Sequence, residues 1–245
     1  MKKLKPIAAV ILALGGLGGL MNKDYLFGLI LIAAGVCLFV FPRNKQKTGS
    51  LSAAAEASGL SGIFQITDDA ERIHCPDWVV LDVETTGLNP SGDRIIEIAM
   101  RKFHEGQPVD TFVSLVNPGQ SISSDIVKLT GIKNADLKKA PAFQEIAPTV
   151  RSFLGDLPMV AHNAKFDARF VWNECARAGE KLTIQYIDTV RLAKWCLPPQ
   201  PDYKLESLIQ TFGLLDHAQE HRALSDVDAC ENLYMLCREK KARSV

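Results

Sequence analysis

Asp77-Trp-Val-Val-Leu-Asp82-Val-Glu84-Thr-Thr-Gly-Leu88 is a short apolar run that ends in two acids and a glycine-containing turn. Four consecutive apolar side chains between turn-forming residues read as a buried strand over 77–82. Along a strand, residues two apart project to the same face, so Asp82 and Glu84 present two carboxylates side by side at its end. Like charges that close repel unless a cation neutralises them, and hard oxygen ligands suit Mg²⁺ or Mn²⁺. An isolated Asp-x-Glu is most often a solvated pair. Here its position between an apolar strand and Thr85-Thr86-Gly87 sets it apart.

Outward from this strand the chain alternates in an α/β pattern. Arg94–Phe103 and Asp110–Val116 have the alternation of two further antiparallel strands. Helices are predicted over Ser124–Thr130 and Phe143–Leu154, the second just after Pro141. Pro158–His162 reads as a strand running into a helix over Lys165–Ala178, and Ile184–Ile187 as a strand leading into Asp188–Trp195. Helices at Leu205–Phe212 and Arg222–Arg238 complete the pattern. Three strands followed by alternating helices and strands imply a mixed sheet flanked by helices.

Two more motifs lie on this frame. Ala161-His162-Asn163-Ala164-Lys165-Phe166-Asp167 is a small turn opening a helix, with Asp167 in the first turn. Standing alone, such an Asp needs no explanation beyond favourable charge at a helix N-terminus. Phe166 beside it reads as core rather than as a stacking platform. His221-Arg222-Ala223-Leu224-Ser225-Asp226 places Asp226 early in the last long helix. Asp228 competes with it, but two helix positions differ by about 200° of rotation, so only one can face a common site; Asp226 is the choice.

Together and in this order, these residues resemble the DEDDh exonucleases, the DnaQ-like family that includes the proofreading epsilon subunit of bacterial DNA polymerase III. Asp82 and Glu84 match the first motif, Asp167 the second, and His221 with Asp226 the third. Leu129-Thr-Gly-Ile132, Pro141-Ala-Phe143, Ile187-Asp-Thr189 and Leu205-Glu-Ser-Leu208 echo it further, and the resemblance runs from about Trp78 to Lys240.

The resemblance implies an RNase H-like fold and a 3′→5′ exonuclease releasing 5′-mononucleotides from a free 3′ end, with DNA favoured as substrate. It implies two ions of Mg²⁺ or Mn²⁺. Asp82, Glu84 and Asp226 would hold the first; Asp82 would bridge to the second, with Asp167 acting through water. His221 would be the general base, and Thr85 and Thr86 would lie near the terminal nucleotide. An RNA-trimming exoribonuclease or oligoribonuclease at the membrane is the alternative enzyme, and a non-catalytic nucleic-acid-binding scaffold the alternative outside enzymology. A polymerase partner is left open.

Nothing before about residue 76 belongs to that family pattern. Residues 6–21 and 25–41 are nearly free of charge and read as two short transmembrane helices, each near the lower end of the roughly 17–25 residues a span needs. Gly15 and Gly19 form a small-xxx-small pair suited to close helix approach. Lys2, Lys3 and Lys5 before the first run, and Arg43, Lys45 and Lys47 after the second, put both ends in the cytoplasm. The competing readings are a cleaved signal peptide and a buried hairpin of a soluble protein. The expected organisation is a membrane hairpin over 1–47, a linker over 48–76 with a small strand-like piece at 62–67, and an exonuclease domain over 77–241. The expected location is the inner or plasma membrane, with the catalytic domain cytoplasmic.

Composition narrows the classes. With 28 basic and 28 acidic residues the chain is formally neutral, which argues against a non-specific nucleic-acid coat protein. Its six cysteines form no CxxC pair and no zinc-like spacing with histidine, which argues against a disulfide framework and fits a reducing compartment.

Overall fold

Alternation along the central strand organises the molecule. In the computed structural model, which describes residues 25–32, 35–42, 63–65, 73, 75–215 and 222–242, Trp78–Thr85 (β4) lies inside a six-stranded mixed sheet. The strand order is Ile63–Gln65 (β3), Ile184–Asp188 (β8), Met159–Ala161 (β7), β4, Ile95–His104 (β5) and Gln107–Leu115 (β6). β4 pairs antiparallel with β5, which pairs antiparallel with β6. On its other side β4 pairs parallel with β7, followed by β8 and β3, also parallel. The edge strand β3 thus comes from the stretch expected to be a linker.

The helices are Ser124–Thr130 (α1), Asn134–Leu137 (α2), Phe143–Leu154 (α3), Lys165–Arg177 (α4), Thr189–Cys196 (α5), Leu205–Phe212 (α6) and Ala223–Ala242 (α7). Val79, Leu81 and Val83 of β4 pack with Phe143 and Phe153 of α3 and Phe170 and Val171 of α4. Trp78 and Val80 join Ala99, Phe103, Leu192, Leu208, Val227 and Tyr234 on the opposite face. Each large side chain buried this fully contributes about 1.5–3 kcal/mol. Two apolar cores thus share one strand as their wall. The even-numbered face is the one that meets α7, and Asp82 and Glu84 continue that face.

Contacts divide the chain into residues 1–52 and 53–245. In the first unit, Tyr25–Ile32 (β1) and Gly35–Pro42 (β2) form an antiparallel pair, in register from Tyr25↔Pro42 to Ile32↔Gly35. The helix expected over 25–41 is corrected by this pair. The run holds Ile30, Ile32, Val36, Phe39, Val40 and Phe41, β-branched and aromatic residues that favour extended chain. Continuous apolarity alone does not separate a helix from a strand. Among the described residues, no helix is long and apolar enough to cross a membrane. The other expected span, 6–21, lies outside the described residues.

Candidate active site

Three carboxylates meet where β4 ends against the first turn of α7. Asp82, Glu84 and Asp226 each offer an oxygen, and these oxygens lie within 4.8 Å of one another. β4 brings the first two together by its two-residue repeat, and α7 brings the third across the same face. Asp228, two positions further along α7, faces elsewhere: its carboxylate accepts a hydrogen bond from Arg101 of β5 at 2.6 Å, and Glu231 shares that guanidinium at 2.8 Å.

Asp167 enters from α4 and is 3% exposed. It stands outside the three-carboxylate cluster but within the field of Asp82. The turn ahead of α4 places it there. Asn163 takes a left-handed φ of 64°, a conformation that asparagine tolerates better than most residues. Phe166 beside Asp167 is half-buried against the core, its ring centroid 4.8 Å from that of Phe170.

Burial is the largest influence on these acids. It holds Asp82 well above the usual carboxylate range, and the charges of Asp167, Asp226, Glu84 and Glu97 add to the effect. Glu84 is pushed up to about 7, first by burial and then by Asp226 and Glu97, with Arg222 opposing. Asp167 is likewise raised, by burial first, with the nearby backbone of Asp167 and Val83 acting in the opposite direction. Such a group of desolvated oxygens repels itself when ionised, which is the donor chemistry a hard divalent cation relieves.

Thr85 and Thr86 shape the turn that follows the acids. The Thr85 hydroxyl donates to the Gly87 carbonyl at 2.6 Å. The Thr86 hydroxyl donates to Asp93 Oδ1 at 3.1 Å and accepts from the Arg94 N–H at 3.0 Å. Gly87 is required here, because a Cβ would lie 2.6 Å from the Asp93 carboxylate. Glu174 of α4, 1% exposed, fastens the end of the turn by a two-pronged pair with Arg94 at 2.6 and 2.9 Å. Arg177 adds hydrogen bonds to the Pro90 and Ser91 carbonyls. The acid-bearing turn and the helix carrying Asp167 are therefore one braced unit.

His162 is a strut beside the site. Its Nε2 faces the Tyr203 carbonyl at 2.9 Å, so that nitrogen carries the proton, while Nδ1 and the Ala161 carbonyl share the Thr189 hydroxyl at 2.9 and 3.2 Å. His221 lies outside the described residues; its neighbour Arg222 is described and is anchored on Glu97. Glu97 is the residue that sequence reasoning missed. It is a carboxylate 1% exposed between Ile96 and Ile98, both fully buried, and an acid inside so apolar a strand signals a buried partner.

An exonuclease family model, that of RNase T, matches residues 79–234. The chain belongs to this exonuclease family. The resemblance drawn from the three motifs therefore holds, and the exonuclease unit is an RNase H-like mixed sheet flanked by helices. It is 37% identical over 181 residues to the PolC-type DNA polymerase III of Caldanaerobacter subterraneus subsp. tengcongensis, an alignment covering 73% of this chain and 13% of that protein. It is 38% identical over 165 residues to the 3′-5′ exonuclease DinG of Bacillus subtilis, covering 66% of this chain and 18% of that protein. The chain thus spans less than a fifth of the length of these curated relatives. Among solved structures it is similar to exonuclease X in complex with 5′ overhanging duplex DNA, at 26% identity and a TM-score of 0.52, covering 68% of this chain and 92% of that one.

Proposed function

We propose that this exonuclease removes nucleotides one at a time from the 3′ end of DNA, releasing 5′-mononucleotides. The observation that carries the reading is the junction of Asp82, Glu84 and Asp226 on one face, in a chain of the exonuclease family. The 3′→5′ direction and the DNA substrate are supported by the names of relatives: a 3′-5′ exonuclease, and DNA polymerases of PolC type.

The donor set fits Mg²⁺ or Mn²⁺. All three carboxylates supply hard oxygens, and their mutual repulsion and burial make them poor company without a cation. Two such ions, when bound, would supply Lewis-acid activation of water and neutralisation of phosphate charge. Asp82, Glu84 and Asp226 would hold one of them, with Asp82 and Asp167 turned toward the other. His221 would accept the proton of the attacking water, a task suited to a side chain titrating near neutral pH. Thr85 and Thr86, whose hydroxyl protons are spent inside their turn, would set the backbone against which the terminal nucleotide rests. A scaffold without chemistry fits less well, because buried acids with no cation are costly to keep.

The test gives the full chain Mn²⁺ with matched single-stranded DNA and RNA labelled at the 5′ end. A ladder shortening from the 3′ end, faster on DNA and absent in Asp82→Ala, supports the reading. A faster RNA ladder favours the exoribonuclease, and no shortening by the folded protein favours the scaffold. A membrane location with the catalytic unit in the cytoplasm is proposed separately, on the apolar content of residues 6–41 and the flanking lysines alone. Recovery of the chain in the soluble fraction after cell lysis would overturn it.

A further inference from the structure

Glu97 is a buried acid that the proposed chemistry does not use. Its carboxylate receives the Arg222 Nε at 3.0 and 3.2 Å, the Arg222 Nη2 at 2.5 Å and the backbone N–H of Ala223 at 3.2 Å. Ala223 is the first residue of α7, so Glu97 caps that helix from another element. Negative charge at a helix N-terminus also suits the helix dipole. The Arg222 carbonyl in turn accepts the N–H of Asp226 at 3.1 Å. One residue therefore grips β5 with its side chain and Asp226 with its backbone. On the sheet, Glu97 lies directly opposite Glu84.

We propose that Glu97 and Arg222 are positioning residues for metal binding: their two-pronged pair fixes the height and rotation of the first turn of α7, and so sets the Asp226 carboxylate against Asp82 and Glu84. This rests on the reading of Asp226 as a metal-holding carboxylate. Burial of Glu97 makes the pair mutually dependent, since removing Arg222 alone strands a charge in the core. Lysine in place of Arg222 keeps the charge but not the planar fork.

The test measures Mn²⁺ binding to the full chain by calorimetry, together with the Mn²⁺ concentration for half-maximal cleavage and the thermal midpoint. Arg222→Met and Arg222→Lys are each expected to weaken Mn²⁺ binding by about 10–100-fold, the usual effect of removing a group that orients a metal ligand. The double variant Glu97→Gln/Arg222→Met removes the stranded charge and should recover thermal stability relative to Arg222→Met while binding Mn²⁺ as weakly. Return of Mn²⁺ affinity with stability in the double variant would reduce the pair to a structural brace and overturn the proposal. Arg101→Met, which frees α7 from β5 elsewhere, should leave Mn²⁺ binding unchanged; an equal loss there would also overturn it. Asp226→Asn separates the two ideas. If it leaves Mn²⁺ binding intact, the reading of the site fails; if it weakens binding while Arg222→Lys and Arg222→Met do not, only the positioning role fails.

Discussion

Glu84 and Glu97 are direct cross-strand partners on one face of the sheet, a placement that pits two carboxylates against each other. The structure resolves the conflict unequally: Glu97 takes Arg222, while Glu84 is left among the acids and is pushed up to about 7.

A pH dependence follows with a definite sign. The folded-state value of Glu84 lies above its ordinary value of 4.5, so its contribution to stability is complete below about 4.5 and is lost as pH rises through about 7. In chelator, the difference in melting temperature between the parent and Glu84→Gln should therefore shift against the parent between pH 5 and 8. Mn²⁺ should restore the parent selectively, with protons released on binding below pH 7. Thermal melts at unit pH intervals, with and without Mn²⁺, check this; a difference independent of pH would contradict the raised value.

Asp226→Asn and Asp228→Asn should behave oppositely although they sit on the same turn. Loss of Asp226 is expected to lower cleavage on the order of 10²-fold or more and to leave the metal-free protein as stable or more so, since a half-buried acid that repels Asp82 and Glu84 is gone. Loss of Asp228 removes one of the two carboxylate partners of Arg101 and should cost about 0.2–1 kcal/mol with little effect on turnover. Single-turnover rates and denaturant midpoints of the two variants provide the comparison.

Substitution of His221 by Ala should reduce kcat by about 10²–10⁴-fold, the usual range for a general base, with an unchanged far-ultraviolet spectrum and thermal midpoint. Turnover within a few-fold of the parent would remove it from the mechanism.

The turn after β4 should resist even one added methyl. In Gly87→Ala the new Cβ would meet Asp93 at 2.6 Å, and Asp93 cannot swing aside without releasing Thr86 and the Asn89 N–H it accepts at 2.8 Å. A destabilisation of about 1–3 kcal/mol is expected, read from denaturant unfolding.

Local pattern made much of this legible. The two-residue repeat of β4 and the helical rotation separating Asp226 from Asp228 are short-range properties, and both lead from sequence to the carboxylate cluster. The roles of Glu97 and Glu174 depend on partners 125 and 80 positions away, and no local periodicity encodes such a pairing. The parallel addition of β3 to β8 is non-local in the same way. At residues 25–41 the difficulty was of another kind: an uninterrupted apolar run carries no period, so a paired strand and a helix look alike.

The shared wall formed by β4 also constrains how this protein can change. Trp78 and Val80 are buried by the same alternation that presents Asp82 and Glu84. A residue inserted or deleted between Trp78 and Asp82 would turn every later side chain of the strand to the opposite face. Such a change would carry the acids into an oily interior as it displaced the core residues. Along these few positions, substitutions can be tolerated one by one, but length cannot drift: folding and chemistry are inherited in a single reading frame.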